Sequence, residues 1–418
     1  MENPLLRRDL QLIPARVQGR RLIAFLDPLK LVAGDLALDM ELYAVIELLD
    51  GRHSIQDIQL SLVKKFGGMQ VGTDDLESFL EDLDRYYLLE SDRFKAEKDR
   101  IYREFGAACD RRPVHAGKAY AGEASALASF ISEVEEKLPP LSEDVSGSNI
   151  VGILAPHIDI GAAKSTYVDL YRRLQGKRYE RAIILGINHQ MQDGLYCLCE
   201  KRFITPFGRI DPDISFINEL KKRLPSGTLS SDDFGHKMEH SIEFQTVFLH
   251  HYLANPFKIV PVLCGGIHEF LFEGKNLFED RGFQKTVQTL TDMIGEEDGR
   301  TLVVAAVDFS HVGLKFGHQS AADTLLPKAM ENDREIISFI EHGKAEALFE
   351  NARATKDCFN VCGFPSIILF TALMRQCSGR RLDHRIYREE ATASAVTYAS
   401  MIFTGSDCVT AEKSRVQE

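Results

Sequence analysis

Three apolar runs in this chain end in residues able to hold a metal ion or move a proton. Ile150–Ala155 runs into Pro156-His157-Ile158-Asp159, Ala182–Gly186 into Ile187-Asn188-His189-Gln190, and Val303–Val307 into Asp308-Phe309-Ser310-His311. In open α/β sheets, ligands bind just beyond the carboxyl ends of the strands. A single histidine after a strand is more often a hydrogen-bonded loop residue. Three strand ends bearing His or Asp together point to a site. A fourth piece, Asn360-Val361-Cys362-Gly363-Phe364-Pro365, opens the apolar stretch Ile367–Met374. A cysteine just before a helix lies near the positive end of the dipole, which lowers its pKa toward thiolate. The bland alternative is a small buried hydrophobe. Two neutral imidazoles and one thiolate would make an open three-ligand site for iron, copper or zinc, leaving positions for water, oxygen or substrate.

The elements that must position these residues are legible as texture. From Ile150 onward, apolar runs recur at Ile150–Ala155, Ala182–Gly186, Lys258–Leu263, Thr301–Val307 and Ser394–Phe403, separated by helical patterns. That alternation predicts an α/β domain with largely buried strands. Residues 1–105 read differently, as a small helical unit. Helical spacing is expected over Leu36–Leu49, after Ser54, and from Thr73 to Leu83, with Tyr86–Leu89 and Phe94 closing a short β-wing. Three helices and a wing describe a winged-helix fold. Residues 95–104 form a mixed-charge connector, 106–405 the α/β domain, and 406–418 a polar flexible tail.

The formal charge is −12, and it is unevenly placed. Asp35 to Asp92 hold fourteen acidic and four basic residues, a local −10. The segment predicted as the third helix carries Asp74, Asp75, Glu77, Glu81, Asp82 and Asp84. Such a surface repels phosphate, so nucleic acid is excluded and a peptide or protein partner fits better. No apolar run approaches the ~18–20 residues that span a bilayer, and the first residues lack a signal-like stretch. The expected location is cytoplasmic, and the eight cysteines, with no CxxC pair, are expected as reduced thiols. Cys197 and Cys199 read as packing, and Cys264 as a strand-end residue that could approach the pocket.

A rival motif is His236-Lys-Met-Glu239-His240, which matches H-x-x-E-H. On one helix, His236 and His240 would share a face and hold zinc, with Glu239 as general base. It needs a third downstream ligand, for which Glu269 and Glu273 are formal candidates. This is the zinc metallopeptidase reading.

At the strand-end residues the chain resembles the Memo family, including the AmmeMemoRadiSam system protein B group. The matching pieces are Ala155-Pro156-His157, Leu185-Gly-Ile-Asn-His189, Glu239-His-Ser-Ile-Glu243, Asp308-Phe-Ser-His-Val-Gly313, Val361-Cys-Gly363 and the opening segment Arg112-Pro-Val-His-Ala-Gly117. The resemblance spans about residues 111 to 405. It implies a fold related to class III extradiol ring-cleavage dioxygenases, with His157, His189 and Cys362 as metal ligands and Asp308 and His311 beside the metal. Gln190, Ile158-Asp159-Ile160 and Val312 depart from the family pattern at positions expected to line the pocket. The N-terminal pattern Leu49-Asp-Gly51, Ser54-Ile55 and Phe79-Leu80 to Leu89 resembles PqqD-like peptide-recognition domains.

The resemblance makes the expected protein a non-haem iron or copper redox enzyme. A thiolate ligand is soft, so Cu(I) competes with Fe(II), and zinc remains possible. His311 or His240 would move protons, and Asp308 would orient an imidazole or coordinate through water. Asp308, His311 and His240 are thus the expected catalytic residues. A radical-SAM partner is suggested by the resemblance alone. The non-enzymatic alternative is an adaptor that captures a peptide or sequesters metal through the same His/His/Cys set.

Overall fold

The computed structural model describes residues 2–17, 19–32, 36–65, 71–141, 149–188, 193–296 and 301–405. The chain divides into two compact units, residues 1–107 and 108–418.

In the first unit, β1 (Gln11–Val17), β2 (Arg20–Leu26) and β3 (Ala37–Asp39) form an antiparallel sheet in that order. Helices Ile55–Lys65, Thr73–Arg85 and Asp92–Ala107 follow. Ile58, Leu62, Leu76, Leu80, Leu83, Leu88 and Leu89 form its core, the helical ones recurring at three- and four-residue spacing. Arg7 ties the unit together. Its guanidinium donates to Asp27 at 2.5 Å and to the Tyr87 carbonyl at 2.9 Å, and sits 4.2 Å over the Phe94 ring. Asp27 in turn accepts the amides of Leu29, Leu31 and Val32, closing the turn after β2.

Two expectations for this unit are corrected. Residues expected at the start of a first helix, Ala37–Asp39, pair with β2 instead, leaving only Tyr43–Ile46 as α-helix. The closing wing does not form either. Phe94 is buried on the Asp92–Ala107 helix, and Leu89 makes only an isolated bridge to Leu6. The sheet therefore lies ahead of the helices in the chain, built from residues 11–39, where no strand was expected.

In the second unit, a small sheet joins β4 (Asp110–Arg111), β8 (Arg202–Thr205) and β9 (Gly208–Ile210). The main sheet is built on four parallel strands: β5 (Ile150–Ala155), β6 (Arg181–Ile187), β10 (Lys258–Cys264) and β11 (Thr301–Ala306). With β7 (Tyr196–Leu198), β12 (His311–Gly313) and β14 (Ser394–Thr404), the order is β12-β14-β5-β11-β6-β10-β7. β13 (Ser378–Glu389) pairs antiparallel with β14.

Beyond their first residues the parallel strands are apolar, because both faces are covered. Ile183, Leu185, Val303 and Ala305 point into a core with helices Arg281–Gly295 and Phe364–Leu373. Their alternates Ala182, Ile184, Leu302 and Val304 point into a second core with helices Ile160–Tyr171 and His240–Tyr252. This alternation is the two-residue period of a strand. From β5 the chain crosses over β11 to reach β6, whereas from β11 it returns past β5 to β14. The adjacent carboxyl ends of β5 and β11 thus mark a point where connections diverge, the usual place for a ligand crevice.

Among the described residues six cysteines are free, including buried Cys197, Cys199 and Cys264. The expectation of reduced thiols fails at Cys377, which is disulfide-bonded. Cys264 does not enter the crevice; its side chain is buried in the first core. No helix among the described residues is long and apolar enough to cross a membrane.

Candidate metal centre at the strand ends

His157 follows β5 and is 3% exposed. Its ring Nδ1 lies 3.0 Å from the Ala306 carbonyl at the end of β11. A carbonyl can only accept, so Nδ1 carries the proton and Nε2 presents a lone pair. That Nε2 is 3.5 Å from Cys362 Sγ and 3.6 Å from Asp308 Oδ2. Asp308, 1% exposed, accepts the His157 amide at 3.0 Å, which locks the two strand ends together. Gln245 supports the same loop from the helix beneath, donating to the Pro156 carbonyl at 3.0 Å while accepting the Tyr171 hydroxyl at 2.6 Å.

Cys362 reaches this place because Gly363 does. A Cβ on Gly363 would come within 2.7 Å of the Asp308 carbonyl and 2.8 Å of Val307 Cβ. Only glycine lets the start of the Phe364–Leu373 helix approach the β11 end so closely. The expected dipole-lowered thiol is corrected here. Burial, aided by the negative charge of Asp308, pushes the Cys362 thiol well above its ordinary value. Desolvation disfavours the charged form of this thiol.

Burial likewise raises the Asp308 carboxyl, opposed by His311 and by the His157 and Ile158 amides. His311 donates from Nδ1 to the Phe309 carbonyl at 3.0 Å and packs edge-on to Phe316. His240 stands 5.4 Å from His157 between ring centroids and contacts Glu239 through Nδ1 at 3.2 Å. The structure thus brings His157, Cys362, Asp308 and His240 together and couples His311 to them through Asp308. His189 lies in residues 189–192, outside the described residues. The strand leading to it is clamped from both faces. Ser241 accepts the Ile187 amide at 3.1 Å, and Ser366 donates to the Gly186 carbonyl at 2.6 Å.

The metallopeptidase helix does not form. His236 belongs to a separate short turn, Phe234–His236, and Glu239 is extended. The Glu239 carboxylate caps the next helix, accepting the amides of His240 and Ser241. His236 is buried, its Nε2 donating to the Cys197 carbonyl at 3.0 Å, and burial lowers its pKa to about 4. The shared helical face required by the motif is therefore absent.

Two residues near the site carried no clear signal in the sequence. His115 packs edge-on to His240 at 5.6 Å and donates its amide to Glu243. Its only pointer was the opening segment Arg112–Gly117. Arg111 is buried, bonded to the His236 and Glu239 carbonyls and paired with Glu243. It fixes the segment that delivers His240. Nothing in its spacing sets it apart from neighbouring Arg112.

Two ligands of one tetrahedral ion, with metal–sulfur ~2.3 Å and metal–nitrogen ~2.0 Å, lie about 3.5 Å apart. The Cys362–His157 pair fits one ion. Among the described residues, no group of three or more His, Cys, Asp or Glu side chains is arranged for a metal.

The fold and these strand ends define an α/β protein in which buried His157 and Asp308 meet Cys362 at the sheet's diverging point. The Memo-like protein family model matches residues 111–402. A MEMO1 family protein of Aquifex aeolicus is 30% identical over 370 residues, covering 87% of this chain and 91% of its own. One of Thermus thermophilus is 26% identical over 363 residues, covering 85% and 100%. One of Methanosarcina mazei is 25% identical over 299 residues, covering 70% and 98%. The chain belongs to the Memo-like family. The Aquifex and Thermus alignments exceed the length of the second unit, so they extend into the first.

Proposed function

We propose that the second unit is a metal-dependent redox centre in which His157 Nε2, Cys362 Sγ and His189 hold one Fe(II) or copper ion. The observation that carries this reading is His157. Its Nδ1 is committed to the Ala306 carbonyl, and its Nε2 faces Cys362 at ligand-to-ligand distance. When bound, such an ion would supply oxygen binding and one-electron chemistry. The chain's own residues would do the rest. Asp308 and His311 would hold a proton near the site, and His240, set by its contact to Glu239, would move one to or from substrate. The test is anaerobic loading with Fe(II) or Cu(I), then oxygen uptake with candidate aromatic substrates. Uptake that depends on His240 supports the reading. No uptake with any loaded metal favours metal storage.

The first unit, in the same reading, docks a peptide or protein. Asp74, Asp75, Glu77 and Glu81 are exposed on the Thr73–Arg85 helix, whose leucines face inward. Basic or neutral peptide surfaces fit that face.

A further inference from the structure

Behind the site, a buried carboxylate is spent on one loop. Asp333, on the Ala322–Glu341 helix, is 0% exposed. Its Oδ1 accepts the Ser310 hydroxyl at 2.6 Å, and its Oδ2 lies 3.3 Å from His384 Nε2, which must donate to it. Ser310 sits between Asp308 and His311. Its amide donates to Thr397 Oγ1 at 2.8 Å, its carbonyl accepts the Thr397 amide at 2.9 Å, and the Phe309 amide donates to the Thr397 carbonyl at 2.9 Å.

These bonds have a geometric consequence. The Phe309 carbonyl and the Ser310 amide share one rigid peptide plane. Fixing the Ser310 amide on Thr397, and the Ser310 side chain on Asp333, fixes where the Phe309 carbonyl points. That carbonyl accepts the His311 Nδ1 proton at 3.0 Å. A buried carboxylate costs stability unless it is bonded, and here both Asp333 oxygens are bonded, one to the Ser310 hydroxyl and one to His384.

We propose that Asp333, held by His384 and acting through Ser310, is a positioning residue that keeps His311 in the Nδ1–H tautomer with Nε2 directed away from its own backbone. His311 then presents an acceptor to whatever proton the site must take. That consequence rests on the acid–base role given to His311 above; the positioning itself does not.

The test is ¹⁵N NMR of the imidazoles in full-length, metal-free protein at pH 8, with His311 assigned against a His311→Gln sample. Wild type should show His311 as predominantly Nδ1–H. Ser310→Ala and Asp333→Ala should turn it predominantly to Nε2–H, while the His157 signals stay in place as a check on the fold. His384→Gln, which keeps a donor for Asp333, should retain the wild-type tautomer. If Asp333→Ala does not fold, Ser310→Ala decides, since it removes one oxygen only. A His311 that stays Nδ1–H in folded Ser310→Ala overturns the proposal. Iron and copper titrations of the same samples separate the two ideas. A responsive tautomer in a wild type that binds no metal keeps the positioning and removes the reading above. Metal binding with an unresponsive tautomer does the reverse.

Discussion

Arg111 and Glu243 are both buried, so neither charge is tolerable without the other. Glu243 also accepts the amides of Val114 and His115 and the Tyr120 hydroxyl. Replacing Arg111 by methionine leaves that carboxylate unpaired and should cost roughly 3–5 kcal/mol in denaturant unfolding. Arg111→Met with Glu243→Leu should recover a good part of the loss. Burial alone would raise the Glu243 carboxyl, but Arg111 and the Tyr120 hydroxyl hold it below its ordinary 4.5. A depressed folded pKa contributes stability that is full above 4.5 and is lost as pH falls through the folded value. Acid unfolding of Glu243→Gln should lack this part of the slope below 4.5, and an unchanged slope would show that Glu243 does not carry it.

At the scale of elements, legibility followed chemistry. The strands Ile150–Ala155, Lys258–Cys264 and Thr301–Ala306 were readable because burial on both faces leaves continuous apolar runs. β1 was not, because Gln11–Val17 mixes Pro14 and Arg16 into an edge strand whose partner sets it. The wing was misplaced because Tyr86–Leu89 and Phe94 are apolar for another reason. Phe94 packs under Arg7 from a helix rather than from a hairpin. His157, Cys362 and Asp308 were legible as strand- and helix-end residues. Arg111, His115 and Asp333 were not, since their roles come from partners more than fifty residues away or on other elements. One element contact decides the site. Gly363→Ala forces its Cβ against the Asp308 carbonyl and should cost about 1–3 kcal/mol by overpacking. It should also speed alkylation of Cys362 by a maleimide; an unchanged melting temperature and labelling rate would mean that the helix start adjusts freely.

For the whole molecule, the charge of −12 is densest from Asp35 to Asp92 in the first unit, while the strand-end cluster lies in the second. If the acidic helix docks a basic peptide, reversing Asp74, Glu77 and Glu81 to lysine should abolish binding and its salt dependence. Metal content should be untouched, because none of these residues belongs to the cluster. A parallel loss of metal would contradict that division of labour. The central claim is that Cys362 and His157 share one ion. It is tested most directly by metal analysis of anaerobically purified protein, wild type beside Cys362→Ala. The account predicts about one iron or copper per chain in wild type and a loss of at least ~10-fold in the variant. Equal metal content in the two proteins would contradict it.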